Sequence, residues 1–189
     1  MYKRQVEPTI TYLPIPYAGI TMGFLFCNTI EDESYSGVSK DQRWRWSSDD
    51  DSPLCHHFAL RPAIQLTTPA LKLGKDKDMG LSFILSPGLT IPLSVNQRLN
   101  ISYYPNVSGI WSSQRFDQVK NRGGRAIFYH IKGMFTLDLG EQYTLSAGYT
   151  FSDFDMYSGG RNMVVEGKKL TMPAFRFMHS FFVSLGYRF

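Results

Sequence analysis

The sequence predicts an all-β chain folded as an antiparallel, up-and-down transmembrane β-barrel, and three observations predict it. Apolar and polar residues alternate with period two in blocks of roughly ten residues, the length of a tilted membrane-crossing strand. In the clearest blocks one set is apolar and rimmed by tyrosines while the other is small and polar. That pairing suits lipid outside and a crowded, hydrated interior. Finally, tight turns are interspersed with long polar connections at about 28–55, 105–124 and 154–174. A soluble β-sandwich shares the period and is the alternative fold; its apolar set would face a second sheet.

Val6–Leu13 reads as the first strand, ahead of a turn containing Pro14 and Pro16. Ala18, Ile20, Met22, Phe24 and Phe26 then oppose Gly19, Thr21, Gly23, Leu25 and Cys27. Phe58, Leu60, Pro62, Ile64 and Leu66 oppose Ala59, Arg61, Ala63, Gln65 and Thr67. Ala70–Gly74 is a short extra strand after a tight Thr68-Pro69 turn. Met79–Leu93 and Arg98–Tyr104 form a hairpin through Ser94–Gln97. Its first arm contains Pro87 and Pro92, which remove ladder donors and are expected at a bulge or rim. Ile127, Tyr129, Ile131, Gly133, Phe135 and Leu137 alternate with Phe128, His130, Lys132, Met134, Thr136 and Asp138. The tight link Leu139–Gln142 leads to Tyr143, Leu145, Ala147, Tyr149 and Phe151 against Thr144, Ser146, Gly148, Thr150 and Ser152. The last block, 175–189, places Phe181, Val183, Leu185, Tyr187 and Phe189 on one face.

These blocks make nine strands. With the last strand running to one side, the connections 105–124 and 154–174 emerge on the other. The 28–55 connection joins them only if 70–74 is a separate strand. An odd count points to a ten-stranded parent lacking its first strand; eight strands, with 57–73 as one long bent strand, is the second count. Residues 1–5 read as a non-native or disordered leader and 6–189 as a single domain. No apolar stretch follows Lys3-Arg4-Gln5 to make a signal peptide, which fits an upstream truncation; a mature chain is the alternative.

A chain of 189 residues suits one domain. No apolar run reaches the roughly 18 residues a transmembrane helix needs. The formal charge of +4 is mild, and the basic residues do not gather with aromatics, which argues against nucleic-acid binding. Cys27 and Cys55 flank the longest polar stretch, where a disulfide would staple its base in an oxidising compartment.

The terminal Ser184-Leu185-Gly186-Tyr187-Arg188-Phe189 resembles the end of many bacterial outer-membrane β-barrel proteins. The resemblance implies that Phe181, Val183, Leu185, Tyr187 and Phe189 form the signal read by the barrel-assembly machinery. It implies, too, residence in the outer membrane of a Gram-negative bacterium, with lipid as neighbour. His179 departs from the apolar pattern. Over residues 57–189 the chain is similar to small porin-like barrels of the Bacteroidetes type, a likeness that implies no activity.

The expected interior carries Arg61, His130, Lys132, Asp138 and Arg176, with Glu7 and Asp138 the obvious acidic partners. Charges in a low-dielectric lumen need counter-charges, so an ion-pair network plugging a narrow barrel is expected; a basic lining that passes anions is the rival. In the first long connection, Trp44, Arg45 and Trp46 interleave aromatic and basic groups, and Trp111 lies in the next. They either grip a surface ligand or envelope partner or fold back over the barrel mouth. His56-His57 beside Cys55 does not make a metal site, because adjacent strand residues diverge and no second cluster completes it. No cofactor motif or catalytic constellation is evident. The expected role is therefore a structural or surface-binding barrel. A narrow channel for small solutes, a barrel-rim hydrolase and a secreted sandwich are the alternatives.

Overall fold

The computed structural model describes residues 3–29, 35–48, 56–74, 79–93, 98–106, 115–121, 124–171 and 176–189. The strands are, in chain order, β1 (Lys3–Val6), β2 (Thr9–Ile15), β3 (Ala18–Thr29), β4 (Ser36–Val38) and β5 (Trp44–Ser48). Next come β6 (His56–Thr67), β7 (Leu71–Leu73), β8 (Met79–Pro92), β9 (Arg98–Pro105) and β10 (Arg115–Lys120). The last are β11 (Phe128–Leu139), β12 (Tyr143–Ser152), β13 (Val164–Val165), β14 (Lys168–Lys169) and β15 (Met178–Tyr187). No helix occurs among the described residues, and every pairing is antiparallel.

Nine segments make the main sheet, but they occupy seven lanes in the order β1-β3-β6-β8-β11-β12-β15, with β2 and β7 off that path. β1 and β2 share one register on β3 (Lys3 opposite Thr29, Thr9 opposite Gly23) and form a single lane broken at Glu7-Pro8. β7 likewise continues β6 along β8. Thr67 faces Ile84 and Leu71 faces Leu81, a one-residue bulge at the Thr68-Pro69-Ala70 link. The expected separate strand at 70–74 is therefore corrected: 57–73 is one bent lane, as in the second count. The expected boundary of the domain at Val6 falls inside β1.

β9 does not extend the main sheet. It lies in a second, four-stranded sheet, β10-β9-β5-β4, whose other three strands come from segments expected to be loop. The turn expected at 94–97 lies outside the described residues. Pro62 and Pro87 sit inside their lanes, not at a rim. The β6–β8 ladder skips their rungs yet resumes in the same register, Ala59 opposite Pro92 and Thr67 opposite Ile84.

Alternation sorts the main sheet's residues as the sequence does. Arg61, Gln65, Ser82, Ser86, Thr90 and His130 are buried on the inner face, as are Thr136, Ser146, Thr150 and Ser152. Hydroxyls satisfy one another there, as in Thr136 Oγ1 to Ser146 Oγ at 2.8 Å. Ile20, Phe58, Ile64, Phe135, Phe181 and Leu185 are exposed on the outer face. No second sheet covers them among the described residues.

The sheet is open and strongly curled, a half-barrel without backbone closure. Following paired residues from Met178 through Ser152, His130, Gly88, Ala63 and Thr21 leads to Thr11. The side chain that touches Met178 Sδ is instead Gln5, whose Nε2 donates to it at 3.4 Å. Flat, the first and seventh lanes would lie roughly 29 Å apart. The contact therefore demands curl, with the stagger typical of barrel geometry.

The rungs Asn28–His56, Thr90–Phe128 and Ser152–Met178 all lie at one end of the sheet. The three long connections emerge there together. At the other end the β11–β12 turn is short, with Gly140 in the left-handed region (φ 72°).

Two glycines give contrasting expectations. A Cβ on Gly88 would lie 2.5 Å from Ala63 Cβ and from the Pro62 carbonyl, whereas one on Gly133 meets only Phe83 at 3.5 Å. Gly88→Ala is expected to lower unfolding stability by about 1–3 kcal/mol. Gly133→Ala should stay within about 0.5 kcal/mol. Equal effects would refute the close inner packing of β6 on β8.

Candidate functional site

The inner face concentrates charge at the waist of the sheet. Glu7, at the break between β1 and β2, reaches two cations: Arg61 Nη1 donates to its Oε2 at 2.9 Å and Lys132 Nζ to its Oε1 at 2.6 Å. Arg61 Nε also donates to Thr90 Oγ1 at 3.2 Å, and Thr90 Oγ1 meets His130 Nδ1 at 3.1 Å. Lys132–Glu7–Arg61–Thr90–His130 is thus one connected chain drawn from four lanes. Gly23 makes it possible, since a Cβ there would stand 2.6 Å from Glu7 Oε1. Lys132 Nζ also lies 5.3 Å from the centre of the Phe182 ring. The Arg61 side chain is 1% exposed and Glu7 17%, so one carboxylate serves two cations in a site largely closed to water.

Three of the five expected interior residues, Arg61, His130 and Lys132, meet here. Asp138 does not: it pairs with Arg188 at 2.6 Å near the short-turn end, where the arginine is half exposed. Arg176 is also separate, exposed, with its guanidinium 5.5 Å from the Phe177 ring centre. It precedes β15, where the alternation no longer fixes its direction. Glu7 is the residue whose centrality pattern reading missed. The signal was that it is one of few carboxylates in a predicted strand.

Above this waist the long connections build a cap with an apolar core. Leu25 and Cys27 from β3, Trp46 from β5 and Leu99, Ile101 and Tyr103 from β9 are all buried. The segment 153–171 adds Phe154, Met156, Tyr157, Met163, Val165 and Leu170. Phe154 packs edge-on against Phe128, with ring centres 5.1 Å apart. Met156 Sδ lies 3.8 Å from Cys27 Sγ.

This cap determines the fate of the loop residues. Trp46 is core, pressed so closely on Gly37 that a Cβ there would lie 2.7 Å from its ring. Trp44 packs partly buried against the same cluster. Arg45 stays exposed and donates through Nε to Asn106 Oδ1 at 2.8 Å. Trp111 and Cys55 lie outside the described residues, and so does the expected Cys27–Cys55 disulfide. On the outer wall, Phe181, Val183 and Leu185 are strongly exposed and Tyr187 stacks edge-on between Tyr143 and Phe189. His179 sits among them with its Nδ1 hydrogen-bonded to the Tyr149 hydroxyl.

A cleft of about 510 Å³ opens on the cap between Ser39, Lys40, Gln42, Asn106, Glu166 and Lys168. Gln42 (φ 60°) and Glu166 (φ 49°) are in the left-handed region. Asn106 holds the first by donating from Nδ2 to the Gln42 carbonyl at 2.8 Å. The second belongs to the tight β13–β14 turn with Gly167. Burial, then a hydrogen bond with Glu166, push the Tyr103 hydroxyl up to about 12. No group of three or more His, Cys, Asp or Glu able to hold a metal occurs among the described residues.

No family model, no curated protein and no solved structure matches the chain.

Two outcomes are expected. Glu7→Ala strands Arg61 in a buried place and should cost about 3–5 kcal/mol in a denaturant titration. Asp138→Ala, which breaks a half-exposed pair, should cost under about 1 kcal/mol. Similar losses for both would show that the waist is not the tie described. Tyr103 binds its proton more tightly folded than unfolded, so the stability it contributes is lost as pH rises from about 10 to about 12. Tyr103→Phe should flatten that stretch of the stability profile.

Proposed function

We propose that the chain is the wall and cap of an outer-membrane β-barrel with a structural or surface-binding role, its capped end carrying the binding surface. The observation that carries this reading is the inverted polarity of the sheet. Its buried serines and threonines and the Arg61–Glu7–Lys132 group lie inside, while phenylalanines, leucines and isoleucines lie outside with no protein cover among the described residues. Each such side chain left in water forgoes roughly 1.5–3 kcal/mol of burial. A few of them equal the whole stability of an ordinary domain, about 5–15 kcal/mol. Hydrocarbon removes that deficit.

Other features support lipid as the neighbour. Tyr12, Tyr17, Tyr143 and Tyr187 are exposed near the short-turn end and Phe58, Tyr129 and Phe177 near the capped end. Such aromatic girdles flank an apolar band in membrane barrels. Tyr129 to Leu139 spans ten steps of β11, roughly 34 Å along the strand and about 26 Å once tilted. That matches a band about 25 Å tall. Long connections at one end and short turns at the other fit the same assignment, as does a C-terminal aromatic segment suited to the assembly machinery.

The waist and the cap favour scaffolding or binding over conduction. Side chains from opposite walls meet at Glu7, and an apolar core closes the end above them. The cap then presents Lys40, Lys168 and the exposed Phe116 to the surroundings. Two cations to one carboxylate at the waist is the feature a narrow anion channel would use, and ion conductance across a planar bilayer would favour that second reading.

Refolding into phosphatidylcholine vesicles tests the proposal. The native chain should partition into them and migrate differently on a gel before and after boiling. Phe135→Arg, at the middle of the outer band, should weaken vesicle folding by about 2–4 kcal/mol. Phe116→Arg, on the cap, should leave it unchanged. A chain that stays in the aqueous phase as a folded monomer would sink the membrane reading.

A further inference from the structure

Among the described residues, the first and last lanes of the main sheet each have a partner on one side only: β1 and β2 pair with β3, and β15 pairs with β12. Seven antiparallel lanes make those two rims run in the same direction. Neither rim therefore supplies the antiparallel partner the other lacks. We infer that the seam between β1/β2 and β15 is a strand-acceptor site. It takes one extended peptide segment that runs antiparallel to both rims, with apolar side chains outward and small or polar ones inward. The inference rests on the membrane reading above, because unpaired backbone groups in hydrocarbon cost several kcal/mol each.

Three observations carry it. Exposure is highest at the rims: Phe181 is 86%, Leu185 84% and Ile10 79% exposed, against 63% for Tyr129, 62% for Ile20 and 60% for Phe135 in inner lanes. Among the described residues no strand pairs with the free edge of either rim. The seam's width is bounded by the Gln5–Met178 contact at 3.4 Å. Two extended side chains touching there hold their Cα atoms within about 12 Å. One intervening strand requires about 10 Å between its neighbours. Direction then selects the occupant. A second copy of this chain in the same membrane orientation offers only rims that run the same way as the one they meet. A single strand of opposite direction is what completes both ladders.

The test uses the full chain in detergent micelles and a synthetic peptide of residues 143–152 as probe. That segment, β12, has the required direction and alternation and already pairs with β15 on its other edge. Amide hydrogen exchange at 9–15 and 178–187 is followed with and without it. Protection of both rims by at least tenfold is expected, and none from a peptide of the same composition with its alternation shuffled. Protection of one rim alone, or of neither, overturns the acceptor site. Equal protection without peptide, accompanied by a doubled mass, overturns it in favour of a second copy. Vesicle partitioning without rim protection refutes the acceptor site and leaves the membrane reading standing. Rim protection in micelles by a chain that ignores vesicles supports the acceptor site and removes the membrane reading.

Discussion

The contact between Glu7 and its two cations is the constraint on which the rest of the structure depends. A flat sheet would place the lanes of Glu7 and Lys132 roughly 19 Å apart, beyond the combined reach of the two side chains. The 2.6 Å ion pair therefore exists only because the sheet curls, and it helps hold that curl. Curling divides the residues by size. The inner circumference is short, so Gly23, Gly88 and Gly148 stand where any side chain would collide, the last with Met134 Cβ 2.5 Å from its own would-be Cβ. The outer circumference is long, and it carries the bulky residues.

Two interiors of opposite character follow. The waist is polar and hydrogen-bonded, and its net contribution to stability is small, because desolvating Arg61 and Lys132 offsets much of what their pairing returns. Its value is specificity: removing one partner leaves a charge that no other arrangement satisfies. The cap is apolar and close-packed, with Phe128, Phe154 and Met156 almost wholly buried. Burial there supplies the stability the waist does not. With the apolar core of the described residues at one end of a curled sheet whose inner face is polar, the molecule is organised around that end.

Much of this was legible in the sequence. Period two assigned inner and outer faces correctly along β3, β6, β8, β11, β12 and β15, because a residue's side of a strand depends only on parity. What parity cannot report is which strand lies beside which. Arg98–Tyr104 alternates as well as any wall strand, yet as β9 it joins Trp44–Ser48 in the cap. Trp44, Trp46 and Ser48 carried the same alternation in miniature, hidden by flanking charges, and a segment of five residues is short for such a signal. Glu7 was visible as a carboxylate but not as a hub, since its partners lie 54 and 125 residues away. Arg176 was misplaced because alternation was extended past the first residue of the ladder, Met178.

The strand count shows how a correct conclusion survives wrong parts. Counting 70–74 as a separate strand added one reversal, and counting 98–104 as a wall strand added another. Two reversals restore direction, so the three long connections emerge together either way. Only β8, between the two errors, is inverted. That common end has a folding consequence. The cap sheet pairs β5, from the connection between β3 and β6, with β9, from the connection between β8 and β11. Those segments become neighbours only after β3, β6, β8 and β11 have assembled side by side. The cap is therefore conditional on the wall, whereas the wall's ladders are complete without the cap. Local opening of the capped end can proceed while the curled sheet stays intact, and that is the asymmetry the proposed surface-binding role requires.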